Sequence, residues 1–244
     1  EPDTEKEIPE PAKAAKLPQE TASNEQLYLT GLHLEQYRHA TYDPRPYYEE
    51  ALVRDPKDSR CNNALGLWYL RRGQFSKAEN YFRDAIKTLT ERNPNPIEGE
   101  PFYNLGLYLR FQDRNEEAYD AFYKSVWNAA WMENGYFQLG RLETMNNRLE
   151  EALEVIDRSL IRNWHNHKTR HLKVAILRKL RKIAEAEKLV EESLALDSFN
   201  FGILFEKYLL SPDRVQNPVR GEKFKLMIRG NIHNYIEFAL DYAY

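Results

Sequence analysis

Three histidines stand close together at His165, His167 and His171, and the last two are four residues apart. On a helix that spacing puts both imidazoles on one face, the arrangement a zinc ion uses when further ligands join it. Lys168 and Arg170 lie between them, with no general-base Glu and no third carboxylate nearby, so the group is read as a helix start and no metal is expected. Glu35, His39 and Asp43 are the residue types of acid–base catalysis, but their spacing forms no dyad and ordinary surface charge explains them. The run from Lys168 to Lys182 holds Lys168, Arg170, Lys173, Arg178, Lys179, Arg181 and Lys182 with no acid. Such a run can attract an anionic partner such as RNA. Glu185, Glu187, Glu191 and Glu192 follow it, so a solvated, compensated helical face is the better reading and nucleic acid is disfavoured. No phosphate-cradling glycine loop, nucleophile elbow or His-Glu-x-x-His motif occurs. The chain is therefore expected to bind rather than catalyse, with no cofactor.

The elements that would position a binding surface follow a fixed ruler. From Gly66 the offsets of 12, 16 and 19 residues reach Ala78, Phe82 and Ala85. From Gly106 they reach Ala118, Phe122 and Ser125, and from Gly140 they reach Ala152, Ile156 and Ser159. Gly140 is 34 residues after Gly106, and 34 further on Val174 opens a copy with Ala186, Val190 and Ser193. Repeats of this length mean stacked supersecondary units. Within each, apolar residues recur at helical spacing, as in Phe102, Leu105, Gly106 and Leu109. A mid-helix glycine costs about 1 kcal/mol relative to alanine, so its recurrence at one register demands close approach of a partner helix.

Composition narrows the class. The 244 residues carry 35 Lys and Arg against 38 Asp and Glu, a net charge of −3, which argues against a general nucleic-acid or membrane-surface protein. The single cysteine, Cys61, excludes an intrachain disulfide and fits a reducing, cytoplasmic compartment. No apolar run approaches the roughly 18 residues needed to span a bilayer. The chain opens Glu1-Pro2-Asp3 rather than with Met, which predicts a processed product or an excised piece of a longer protein.

Residues 1–23 hold Pro2, Pro9, Pro11 and Pro18 among Glu and Lys and are expected to be a linker. Five helix pairs are predicted over 24–200, a degenerate helical repeat over 201–231 and the first helix of a truncated repeat over 232–244. Asp55-Pro56 closes the first pair, whose second helix lies one residue late on the ruler. The segment Arg92-Asn93-Pro94-Asn95-Pro96 stretches the step from Gly66 to Gly106 to 40 residues and predicts a loop on one face. At the far end an unpaired helix would leave an apolar face open, so the natural chain is expected to continue.

Leu65-Gly66, Tyr69, Ala78, Phe82 and Ala85 resemble the tetratricopeptide repeat, as do Leu105-Gly106, Ala118 and Phe122, and in part Leu139-Gly140 and Ala152. The resemblance covers about 24–244 and implies an all-α, right-handed tetratricopeptide solenoid of about six repeats. It further implies a groove lined by the first helices: Asn63, Leu67 and Arg71; then Tyr103, Leu107, Arg110 and Phe111; then Asn134, Phe137, Arg141 and Met145; then Lys168, His171, Arg178 and Lys179. Rings interleaved with Arg and Asn suit an acidic or carboxylate-bearing peptide. The two-carboxylate clamp known in such grooves is not expected, because Tyr28 and Leu32 stand where it needs Lys and Asn. The strings at 31–41, 47–56, 92–107 and 118–131 also look like large bacterial proteins that join an N-terminal, mutarotase-like β-sandwich to such an array. That likeness implies an alternative to peptide binding, in which the chain docks in cis on a carbohydrate-active domain of its own parent protein.

Overall fold

The computed structural model describes residues 13–37, 41–211 and 224–242, apart from the side chain of residue 238. Every regular element among them is helical, and two compact units divide the chain, Glu1–Arg92 and Asn93–Tyr244.

The first unit contains α1 (Asn24–Gln36), α2 (Arg45–Arg54), α3 (Ser59–Leu70) and α4 (Phe75–Thr90). Local chemistry starts these helices where the sequence changes character. The Ser23 side chain accepts from the Gln26 N–H, and Asp58 accepts from the Arg60 and Cys61 N–H groups, satisfying donors that a helix start leaves open. Ahead of α1, Pro18–Glu20 forms a 3-10 turn tied to α2, with Arg54 donating to the Thr21 carbonyl at 2.8 Å and the Tyr47 hydroxyl donating to the Lys16 carbonyl at 2.8 Å. This part of the segment expected to be a linker is therefore bonded to the first helix pair.

The second unit contains α5 (Glu100–Phe111), α6 (Asn115–Ser125), α7 (Met132–Met145), α8 (Leu149–Arg162), α9 (His167–Lys179), α10 (Ile183–Leu196), α11 (Phe201–Leu210) and α12 (Ile232–Tyr242). A short helical stretch at 224–228 precedes α12. Asn166 and Asn200 cap α9 and α11 by accepting from the Thr169 and Ile203 N–H groups.

The ruler has a steric meaning. A Cβ at Gly66 would lie 2.6 Å from Phe82, one at Gly106 would lie 2.6 Å from Phe122, and one at Gly140 would lie 2.5 Å from Ile156. In the first pair a Cβ at Gly31 would lie 2.6 Å from Tyr48, which bears out the one-residue displacement of its second helix. Where Val174 replaces the glycine, the opposing residue is the smaller Val190, and both join a cluster with Leu177, Ala186, Leu189 and Ile203. The volume removed from one helix is supplied by its partner, as close packing requires. The connection between paired helices is equally regular. Gly73, Asp113, Asn147 and Arg181 have φ of 66°, 56°, 57° and 62°, one left-handed residue per turn at matching registers.

Candidate functional site

Within the second unit, α7, α9 and α12 enclose a cleft of about 340 Å³. Its floor is apolar. Phe137 from α7 and Leu172 and Ile176 from α9 are partly or fully buried around Ala152, Ile156 and Leu160. Cations surround this floor: Arg141 from α7, and Lys168, Arg178 and Lys179 from α9. The Arg141 guanidinium lies 5.6 Å from the Phe137 ring centre, so the ring and the charge are presented together.

One end of the cleft is closed by α12. Asp241 accepts from Lys168 Nζ at 2.6 Å, and its other oxygen lies 3.4 Å from His171 Nδ1, an ion pair when the imidazole is protonated. Burial acts to raise the Asp241 carboxyl, but hydrogen bonds from His171 and Lys168 and their charges hold it below the ordinary carboxylate range. The Tyr242 hydroxyl donates to Glu206 Oε1 at 2.6 Å and lies 2.8 Å from His171 Nε2. A tyrosine has a single hydrogen to give, and Glu206 as a carboxylate can only accept. His171 Nε2 is therefore the donor to Tyr242, and Nδ1 can donate to Asp241 as well only in the doubly protonated imidazole. Burial, followed by the neighbouring Glu206 charge, pushes the Tyr242 hydroxyl far above its usual value. Glu206 is fully buried and binds Arg178 through two hydrogen bonds of 2.6 and 3.0 Å. A glycine admits this arrangement, since a Cβ at Gly202 would meet His171 Nδ1 at 2.7 Å.

Of the residues expected to line a groove, Phe137, Arg141, His171 and Arg178 meet in this cleft, together with Lys168 and Lys179. The others lie elsewhere. Asn63, Leu67 and Arg71 belong to the first unit, where Asn63 is buried, Leu67 is half-buried and Arg71 pairs with Glu35 at 2.7 Å. Tyr103 packs between repeats, its ring 4.8 Å from that of Trp131 and 5.6 Å from that of Phe122. Arg110 is buried, Leu107 and Asn134 are half-buried, and Phe111 and Met145 are exposed. Sequence reasoning missed Thr144, Leu172, Ala175, Ile176, Asp241, Tyr242 and the Glu206 behind them. Glu206 carried a legible signal, as an acid in the middle of the apolar string Phe201–Leu210.

The chemistry weighed from sequence is dispersed. Glu35 accepts from both Arg71 and the Tyr48 hydroxyl, and His39 lies outside the described residues. His167 Nδ1 lies 3.3 Å from Asn200, while His171 faces α12. Among the described residues no three His, Cys, Asp or Glu converge as a metal ion requires. Burial pushes the Cys61 thiol well up, which removes it as a nucleophile. The basic run divides as well: Arg170 is fully buried against Ser193 and Trp164, and Lys173 pairs with Asp157. Among the described residues no helix is long and apolar enough to cross a membrane.

Residues 60–92 match the family model of the tetratricopeptide repeat. The fold is also similar to that of solved structures. One, from a functional characterization of Pseudomonas aeruginosa PilF, aligns with a TM-score of 0.71 at 21% identity, over 89% of this chain and 97% of that one. Another is YrrB, described as a tetratricopeptide-repeat protein with an unusual peptide-binding site, with a TM-score of 0.59 at 16% identity, over 75% and 90% of the two chains. A third is MamA from Desulfovibrio magneticus RS-1, with a TM-score of 0.59 at 16% identity, over 72% and 97%. These likenesses bear out the all-α tetratricopeptide-repeat fold.

Proposed function

We propose that this chain is a non-catalytic repeat scaffold that holds an acidic segment of a partner protein in the cleft between α7 and α9. The observation that carries this reading is the convergence of Arg141, Lys168 and Lys179 around the apolar floor of Phe137, Leu172 and Ile176. An apolar floor contributes contact area, while cations at its edge select for carboxylates and fix the direction of the bound segment. The peptide-binding site described for YrrB is consistent with this use of the fold.

Selection of a random displayed peptide library against the full chain tests it. Enriched peptides are expected to be rich in Asp and Glu, and to bind the Phe137→Ala/Arg141→Glu variant at least about tenfold more weakly, a loss of roughly 1.4 kcal/mol. Circular dichroism would confirm that the variant is folded. Equal binding to both proteins, or a selection that enriches nothing, would overturn the proposal.

A further inference from the structure

We infer that α12 is a resident occupant of the cleft, and that the partner segment displaces it by presenting the same pair of groups, a carboxylate followed by a tyrosine on a helix. This rests on the reading of the cleft as a peptide site and specifies the chemistry of its ligand. Three observations converge on it.

First, α12 is held by the cleft at its last two described residues. Asp241 binds Lys168 and faces His171, and Tyr242 sits between His171 and Glu206. The Tyr242 ring also stands edge-on to Phe205 and to His171, at centroid distances of 5.7 and 5.0 Å. Ile232, Ile236 and Leu240 of the same helix are 66%, 47% and 49% exposed, so these three contribute less to its docking than Asp241 and Tyr242 do.

Second, the receiving groups are contributed by α9 and α11 and not by α12. The bidentate Arg178–Glu206 pair is built from α9 and α11 alone. His171 of α9 is seated over Gly202 of α11. A socket for one carboxylate and one phenol hydroxyl is therefore built by α9 and α11, and any helix carrying those groups meets the same donors and acceptor.

Third, the occupant leaves room. The cleft continues past α12 along Phe137, Arg141 and Thr144, so a partner can engage that stretch before competing for the socket. A competitor in cis lowers apparent affinity by the fraction of time the site is free.

The test uses the full chain and a fluorescein-labelled peptide with the sequence of Ile232–Tyr242. Binding is measured by fluorescence anisotropy to the wild type and to the variant Asp241→Lys/Tyr242→Ala, whose own α12 lacks both anchoring groups. The variant is expected to bind the peptide at least about tenfold more tightly than the wild type. Adding Lys168→Glu to that variant should abolish the gain. Hydrogen exchange of the α12 amides in the wild type should rise at saturating peptide, while that of α10 stays constant. Equal affinity of wild type and variant would overturn the inference, as would binding by neither. Library peptides that still distinguish Phe137→Ala/Arg141→Glu would then show that only the occupancy of α12 had failed. Loss of that distinction as well would remove the peptide-site reading itself.

Discussion

The tightest constraints act between single residues. In four helix pairs a glycine faces a large side chain, Tyr48, Phe82, Phe122 or Ile156, which occupies the space the glycine leaves. At Gly106, alanine would gain about 1 kcal/mol of helix propensity. It would also force a methyl group against the Phe122 ring, and overpacking of this kind costs about 1–3 kcal/mol. A ring wedged in a closed core gives little, so Gly106→Ala is expected to lower stability by about 1 kcal/mol net, read by urea denaturation. Combining it with Phe122→Leu should destabilise less than the two single changes added together, because the smaller side chain leaves space for the methyl. Strict additivity would mean that the two residues do not press on one another.

Turns and caps decide the helices as elements. The turns inside four of the helix pairs each use one left-handed residue, which is glycine at Gly73 but Asp113, Asn147 and Arg181 in the others. Aspartate and asparagine tolerate that backbone, whereas a long side chain pays about 1–2 kcal/mol for it. Arg181→Gly is therefore expected to raise stability by about 0.5–1 kcal/mol, measured as a higher urea midpoint at unchanged slope. A lower midpoint would mean that the arginine side chain makes a contact worth more than the backbone strain. The docking of α12 belongs to this scale too. The Asp241 carboxyl is depressed relative to its ordinary value of 3.8, so its contribution is complete above that value and is lost as the pH falls through the lower, docked value. Lys168 and His171 face it from α9, with Glu206, Arg178 and Tyr242 alongside. Exchange protection of α12 relative to α10 should therefore hold from neutral pH down to about 4 and fall below it. Release of α12 on raising the pH from 5 to 8 would sink this assignment.

Across the whole chain, stability is local in origin. Repeat units bury surface chiefly against their immediate neighbours, so damage to one is felt next to it and fades with distance along the array. Phe82→Ala empties a fully buried site in the first unit and is expected to cost about 3–5 kcal/mol there. Hydrogen exchange should accelerate through α3 and α4 while α9 and α10 in the second unit keep their protection. Uniform acceleration across both units would show that the chain unfolds as one cooperative body.

The repeat length, the helix pairs, the buried faces and the displaced first pair were all legible in the sequence. Each depends on spacing within about one repeat, where helical periodicity and steric fit leave a regular trace. Only the tertiary structure decided which side chains share a cleft. His171 and Tyr242 are 71 positions apart, and Arg178 and Glu206 are 28 apart, distances at which no local period applies. Arg71 belongs in sequence to the same class as Arg141 but is taken up by Glu35, and Arg170, counted in a basic run, is turned wholly inward. A side chain's charge is written in its identity. Its partner, and so what remains for a ligand, depends on which distant helix folds back against it.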